Sequence, residues 1–166
     1  MSNILKMQST RPLHLIIDGP DRVGKTTVIK LLARDLKLPV IKMKDMPKYF
    51  KGNPEEASEI FNKTLAQFRD TSFICDRGFP SSMVYSWVFD RHYDLKYLTK
   101  VEKALQPKVV ILYRNKPRAE DKLVDSKFHK KVTETYVSMA RALNWTVIDV
   151  KNLKPEQICK KIKEII

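Results

Sequence analysis

The stretch Gly19-Pro20-Asp21-Arg22-Val23-Gly24-Lys25-Thr26 constrains this chain more than any other. Two glycines with four residues between them, followed directly by Lys and Thr, match G-x-x-x-x-G-K-[ST] in full. The flanks agree. Residues 12–18 form a short apolar run that ends at a glycine, the pattern of a strand buried on both faces. Val28, Ile29, Leu31, Leu32 and Leu36 then recur at helical spacing, so a helix begins at Lys25. A tight turn placed between strand and helix points successive backbone N–H groups at one spot, and the helix N-terminus adds partial positive charge. Phosphate oxygens suit that spot. The loop from Gly19 through Thr27 is therefore expected to cradle nucleotide phosphates. Lys25, expected as an exposed loop charge, reaches toward the β- and γ-phosphates, and the Thr26 hydroxyl takes a magnesium ion.

Strands and helices alternate along the rest of the chain. Strands are predicted at 39–42, 71–75, 108–113 and 145–149, and helices at 54–68, 80–88, 95–105, 126–143 and 155–166. Pro54 with Glu55 and Glu56 opens a helix well, because proline fits the first turn and acidic groups favour that end. Residues 43–53 and 114–125 read as loops. Helices between strands mean crossover connections and a parallel sheet, hence an α/β fold. No linker or repeat divides residues 1–166, a length that suits one domain. Phe128, Val132, Tyr136 and Met139 are expected as the apolar face of their helix. His14 reads as a core histidine, His92 and His129 as surface residues, and Trp87, Phe89 and Tyr93 as core and rim packing.

Composition excludes several classes. Hydrophobic residues make up 43%, too many for a disordered chain. No run of about 18 apolar residues marks a membrane span, and the first residues lack a signal-peptide pattern. The two cysteines, Cys75 and Cys159, show no metal-ligand spacing, and a reducing cytoplasmic setting is expected. Lys and Arg outnumber Asp and Glu by 32 to 19, a net charge of +13 spread along the whole chain. That excess favours an anionic substrate, DNA among the candidates, without choosing one.

Asp18-Gly-Pro-Asp21-Arg22-Val-Gly-Lys-Thr resembles the phosphate loop of the thymidylate kinases. Asp76-Arg77, followed by Ser81 and Tyr85, resembles that family's Asp-Arg signature and the helix after it. Phe128 to Tyr136, then Val147-Ile148-Asp149, resembles its late helix and last strand. The resemblance implies a P-loop kinase fold with a five-stranded parallel sheet in the order 2-3-1-4-5 and a short lid at about 114–125. It implies ATP and magnesium as cofactors and allows a homodimer. It also implies residue roles: Asp21, Arg77, Ser81 and Tyr85 hold the acceptor, Arg22 clamps the donor's γ-phosphate, and Arg114 and Arg118 of the lid contribute. Asp76 serves either the site or the cap of the next helix.

The chain departs from the family in the acceptor half. The loop after the second strand reads Lys42-Met43-Lys44-Asp45-Met46-Pro47 instead of a Pro-Gly-Gly type, and residues 54–68 contain no arginine. Three functions remain open. The first is a kinase acting on a deoxynucleoside monophosphate. The second phosphorylates a hydroxyl in DNA, such as a hydroxymethylated base or a strand end, and needs a base among Asp18, Asp21 and Asp76. The third is a nucleotide-binding module without catalysis.

Overall fold

In the computed structural model, which describes residues 11–43, 54–90, 96–115 and 126–166, five parallel strands form one sheet. They are β1 (His14–Asp18), β2 (Val40–Lys42), β3 (Phe73–Asp76), β4 (Lys108–Tyr113) and β5 (Thr146–Asp149), in the order β2-β3-β1-β4-β5. This is the order that the resemblance implied. The helices are α1 (Lys25–Leu36), α2 (Pro54–Ala66), α3 (Phe79–Val88), α4 (Lys96–Leu105), α5 (Ser126–Ala142) and α6 (Pro155–Lys163).

Alternation along β1 builds two cores. Leu15 and Ile17 point to one face, where α1 and α6 pack with Val28, Ile29, Leu32, Ile158 and Ile162. Ile16 points to the other, against Phe61, Phe79, Leu98, Val132 and Tyr136 of α2 to α5. Every residue of β1 is buried, as expected for a central parallel strand with helices on both sides. Register places Ile17 beside Asp76 and Asp18 beside Ile111. The carboxyl ends of β1, β3 and β4 therefore meet at one edge, where ligands bind in open α/β sheets.

Helix ends differ from expectation by a few residues. α2 stops at Ala66 because tight turns follow, with Gln67 N–H donating to Thr64 O and Phe68 N–H to Leu65 O. α6 stops at Lys163, short of the apolar Ile165 and Ile166, which are exposed. The buried face of α5 is shifted from the expected one. His129, Val132, Thr133, Tyr136 and Ala140 are buried, while Phe128 is 36% exposed. The surface placement of His129 is thus corrected: it lies one helical turn or so from Val132 and Thr133 on the inward side. Trp87 is 73% exposed and is not a core residue. His14 is buried as expected, its Nδ1 2.7 Å from Leu105 O. His92, Tyr93, the lysines at 44, 48 and 51, and the lid positions 116–125 with Arg118 lie outside the described residues.

Candidate active site

The phosphate loop leaves β1 at Asp18 and enters α1 at Lys25. Gly19 adopts φ 139°, and a Cβ there would lie 2.0 Å from Leu112 O, so the loop rests directly on the backbone of β4 and no side chain fits. Gly24, at φ 90°, caps α1 in the left-handed region that favours glycine. Val23 anchors the loop from below, 3% exposed. Asp21, Arg22, Gly24, Thr26 and Thr27 stay exposed around the rim.

Lys25 corrects an expectation. Its side chain is buried, not an exposed charge, and is 7% accessible. Nζ donates to Gly19 O at 2.9 Å and also to Pro20 O. Burial, with the Arg77 charge close by, lowers its pKa to about 8, although Asp18, Asp21 and Asp76 pull the other way.

Arg77 approaches the same carbonyl from β3. Its backbone N–H extends the sheet ladder to Ile17 O at 3.0 Å, and its φ of 65° turns the side chain back over the loop. Nη1 donates to Gly19 O at 3.1 Å, Ser81 Oγ at 3.3 Å and Tyr136 OH at 3.4 Å. Nη2 pairs with Asp21. Burial opposes the charge on Arg77, but Asp18, Tyr136, Tyr85 and Asp21 outweigh it and hold the guanidinium firmly protonated. Arg22, also left-handed at φ 61°, stands on the loop rim.

Asp18 anchors the arrangement. It has no exposed surface. Oδ1 accepts from Gly19 N–H at 2.8 Å, Ser81 Oγ–H at 2.7 Å and Tyr136 OH at 3.0 Å. Oδ2 accepts from the N–H groups of Gly78 at 3.2 Å and Ser81 at 2.9 Å, and Arg77 Nη1 lies 3.6 Å from Oδ1. Both carboxylate oxygens are thus engaged by donors and turned inward. Through these bonds Asp18 ties the loop at Gly19 to the start of α3 at Gly78 and Ser81.

Asp76 ends β3 beside Ile17, 8% exposed, and its charge is felt at Lys25. The alternative role as a cap is excluded by position, since Gly78 is the N-cap of α3 and no side chain caps it. Ser81 and Tyr85 lie one turn apart on α3, with Tyr85 edge-on to Tyr136 at 6.4 Å and stacked on Phe89 at 5.8 Å. Phe89 in turn meets Phe128 at 5.1 Å. Burial raises the Tyr85 phenol and pushes that of Tyr136 well up, with Asp18 adding to the latter, so both hydroxyls stay protonated. Arg114 follows β4, and its buried Nε has no hydrogen-bond partner among the described residues.

Sequence reasoning placed Tyr136 in the apolar face and missed its hydroxyl. The available signal was chemical: a phenol on a buried helical face needs a polar partner. Periodicity reports burial only, and gives no sign of which strand end receives that hydroxyl.

No protein-family model matches the chain. A probable thymidylate kinase of Methanocaldococcus jannaschii is 24% identical over 187 aligned residues, spanning 90% of this chain and 93% of that protein. The SPbeta prophage-derived protein YorR of Bacillus subtilis is 34% identical over 101 residues, 60% of this chain and 59% of its own length. The crystal structure of YorR in complex with phosphorylated GDP matches with TM-score 0.72 at 24% identity, covering 92% of this chain and 94% of YorR. The thymidylate kinase of Candida albicans matches with TM-score 0.60 at 17% identity, covering 94% of this chain and 91% of that one. By sequence and by structure the chain has thymidylate-kinase-like relatives, and its fold is the thymidylate kinase P-loop fold.

Proposed function

We propose that the protein is a nucleotide kinase, a single P-loop domain with a lid at about 114–125, that moves the γ-phosphoryl group of ATP to a nucleoside monophosphate. The observation that carries this reading is the convergence of Lys25 and Arg77 on Gly19 O, at 2.9 and 3.1 Å, at the carboxyl edge of the sheet. A buried cation and a half-buried one held together repel each other. An anion between them relieves that repulsion, and a phosphoryl group in transfer carries its charge on oxygens that both can reach. The relatives named thymidylate kinase, and YorR with its bound phosphorylated GDP, support a nucleotide at this edge.

In this reading the loop from Gly19 to Thr27 holds the donor phosphates through backbone N–H groups, and Lys25 turns from its carbonyls to the β- and γ-oxygens. Arg22 on the rim clamps the γ-phosphate. Arg77 holds the acceptor phosphate, with Asp21, Ser81 and Tyr85 on the acceptor side, and Arg114 and Arg118 close from the lid. Asp18 shapes the site from beneath. A phosphate acceptor arrives ionised and needs no base, so the inward orientation of Asp18 is no obstacle.

Magnesium fits the residues present. Thr26 offers an exposed hydroxyl in the first turn of α1, and Asp76 adds negative charge nearby. No group of three or more His, Cys, Asp or Glu suited to a metal occurs among the described residues. Such sparse protein ligation is usual for magnesium, which keeps its waters and binds largely through substrate phosphates. Bound there, the ion would neutralise charge on the β- and γ-oxygens.

A second reading, transfer to a hydroxyl in DNA, is favoured by α5. Lys127, Lys130 and Lys131 are exposed in its first two turns, and its first turn has no acidic residue. Cations at a helix N-terminus oppose the dipole, so an anionic partner there offsets a standing cost. One experiment separates the readings: incubation with γ-labelled ATP and a panel of nucleosides, monophosphates and duplexes. Label in a monophosphate supports the first reading, label in duplex the second, and label in none of them overturns both.

A further inference from the structure

We infer that Tyr136 is a positioning residue: its hydroxyl ties the Arg77 guanidinium to the Asp18 carboxylate and so fixes where Arg77 meets the transferring group. The inference rests on the role proposed above for Arg77. Tyr136 has no exposed surface and reaches the start of the phosphate loop at Asp18 from α5. Its oxygen lies 3.0 Å from Asp18 Oδ1, 3.0 Å from Ser81 Oγ and 3.4 Å from Arg77 Nη1.

The proton count fixes how these contacts work. Asp18 only accepts and Arg77 only donates. Ser81 and Tyr136 each have one proton, and both lie within reach of Asp18. Each oxygen then has a lone pair free for Arg77 Nη1, at 3.3 and 3.4 Å. One N–H of Nη1 goes to Gly19 O, and the other is shared between the two hydroxyls. The tyrosine is thus an acceptor for Arg77 and a donor to Asp18 at once. Without its oxygen, Arg77 retains Ser81 as its hydroxyl partner but loses the second, and the 3.6 Å separation from Asp18 is no longer bridged from the α5 side. A group 1 Å out of place is enough to slow a reaction by orders of magnitude.

The test is Tyr136→Phe, which retains the ring in the core. Two measurements decide. NMR of the Arg77 guanidinium should show faster rotation and solvent exchange in the variant. Turnover with the best monophosphate should fall about 10-fold or more, while KM for ATP holds. In an Arg77→Ala background the same substitution should cost nothing further, since the partner it positions is gone. An Arg77 signal identical in variant and wild type overturns the inference, and so does an undiminished effect of Tyr136→Phe in the Arg77→Ala background. If the wild type labels no acceptor, the kinase reading fails by itself, and the Arg77 signal still decides whether Tyr136 holds the arginine.

Discussion

Lys25 and Arg77 donate to one oxygen, the carbonyl of Gly19, one from the start of α1 and the other from the residue after β3. The sequence separates these cations widely, and the parallel pairing of β1 with β3 brings them together. Substituting either should therefore alter the behaviour of the other.

Lys25 titrates at about 8, below its ordinary value, because burial disfavours its charge. Between about pH 8 and 10.5 the unfolded chain binds a proton that the folded chain has released, so stability should rise with pH over that window. The shift corresponds to something on the order of 3 kcal/mol. Urea unfolding of wild type and Lys25→Met at pH 7.5, 9 and 10 checks this: the wild type should gain relative to the variant as pH rises, and parallel curves would count against it. Nucleotide binding at pH 8 to 9 should also take up a proton, visible as a buffer-dependent heat in calorimetry.

Arg22→Ala should lower turnover by roughly 10³-fold if the arginine stabilises transferring charge, with ATP affinity little changed. Steady-state kinetics with separate ATP binding measurements distinguish the two. A change confined to affinity assigns Arg22 to binding alone.

Gly19→Ala should destabilise the fold by about 2–4 kcal/mol and abolish nucleotide binding, because the new methyl meets Leu112 O at 2.0 Å and φ is 139°. Thermal melting in parallel with ATP binding is the check. A variant with normal stability and affinity would mean that the loop is free to lift off β4.

Asp18→Asn removes a buried charge beneath Arg77 and replaces acceptor capacity with donors facing N–H groups. A loss of about 3–5 kcal/mol is expected, read from urea unfolding. Were Asp18 instead a proton acceptor, the variant would keep its stability and lose transfer only.

If duplex DNA is the acceptor, log affinity should fall with log salt at about −0.9 per phosphate neutralised, so five contacts give roughly −4 to −5. Fluorescence anisotropy between 50 and 200 mM salt measures it. No binding at the lower salt removes the DNA reading and leaves the small nucleotide.

The α/β class, the parallel sheet and the phosphate loop were legible because each rests on local signals: apolar runs, helical spacing, and two glycines followed directly by Lys25 and Thr26. Strand order was legible only through resemblance, since nothing local says that β3 pairs with β1. Side-chain exposure was harder. Lys25 reads as an exposed charge at the start of its helix, yet the loop folds over it and its Nζ turns to the carbonyls of Gly19 and Pro20. Phe128 and His129 are adjacent, and a rotation of α5 by one residue exchanges which is buried, a difference that hydropathy alone resolves in favour of Phe128 and packing resolves in favour of His129.

Arg22 and Arg77 both hold left-handed backbone angles, φ 61° and 65°, at positions where glycine or asparagine would sit with less strain. Each conformation costs roughly 1 kcal/mol for a residue with a Cβ. At Arg77 the contacts to Gly19, Asp21, Ser81 and Tyr136 offset that strain, whereas at Arg22, on the exposed rim, Arg22→Gly would relax the loop. The Arg22 guanidinium is thus carried on a backbone angle that selection for stability alone would give to glycine, and a search for hardier variants that does not also select for turnover will tend to lose it.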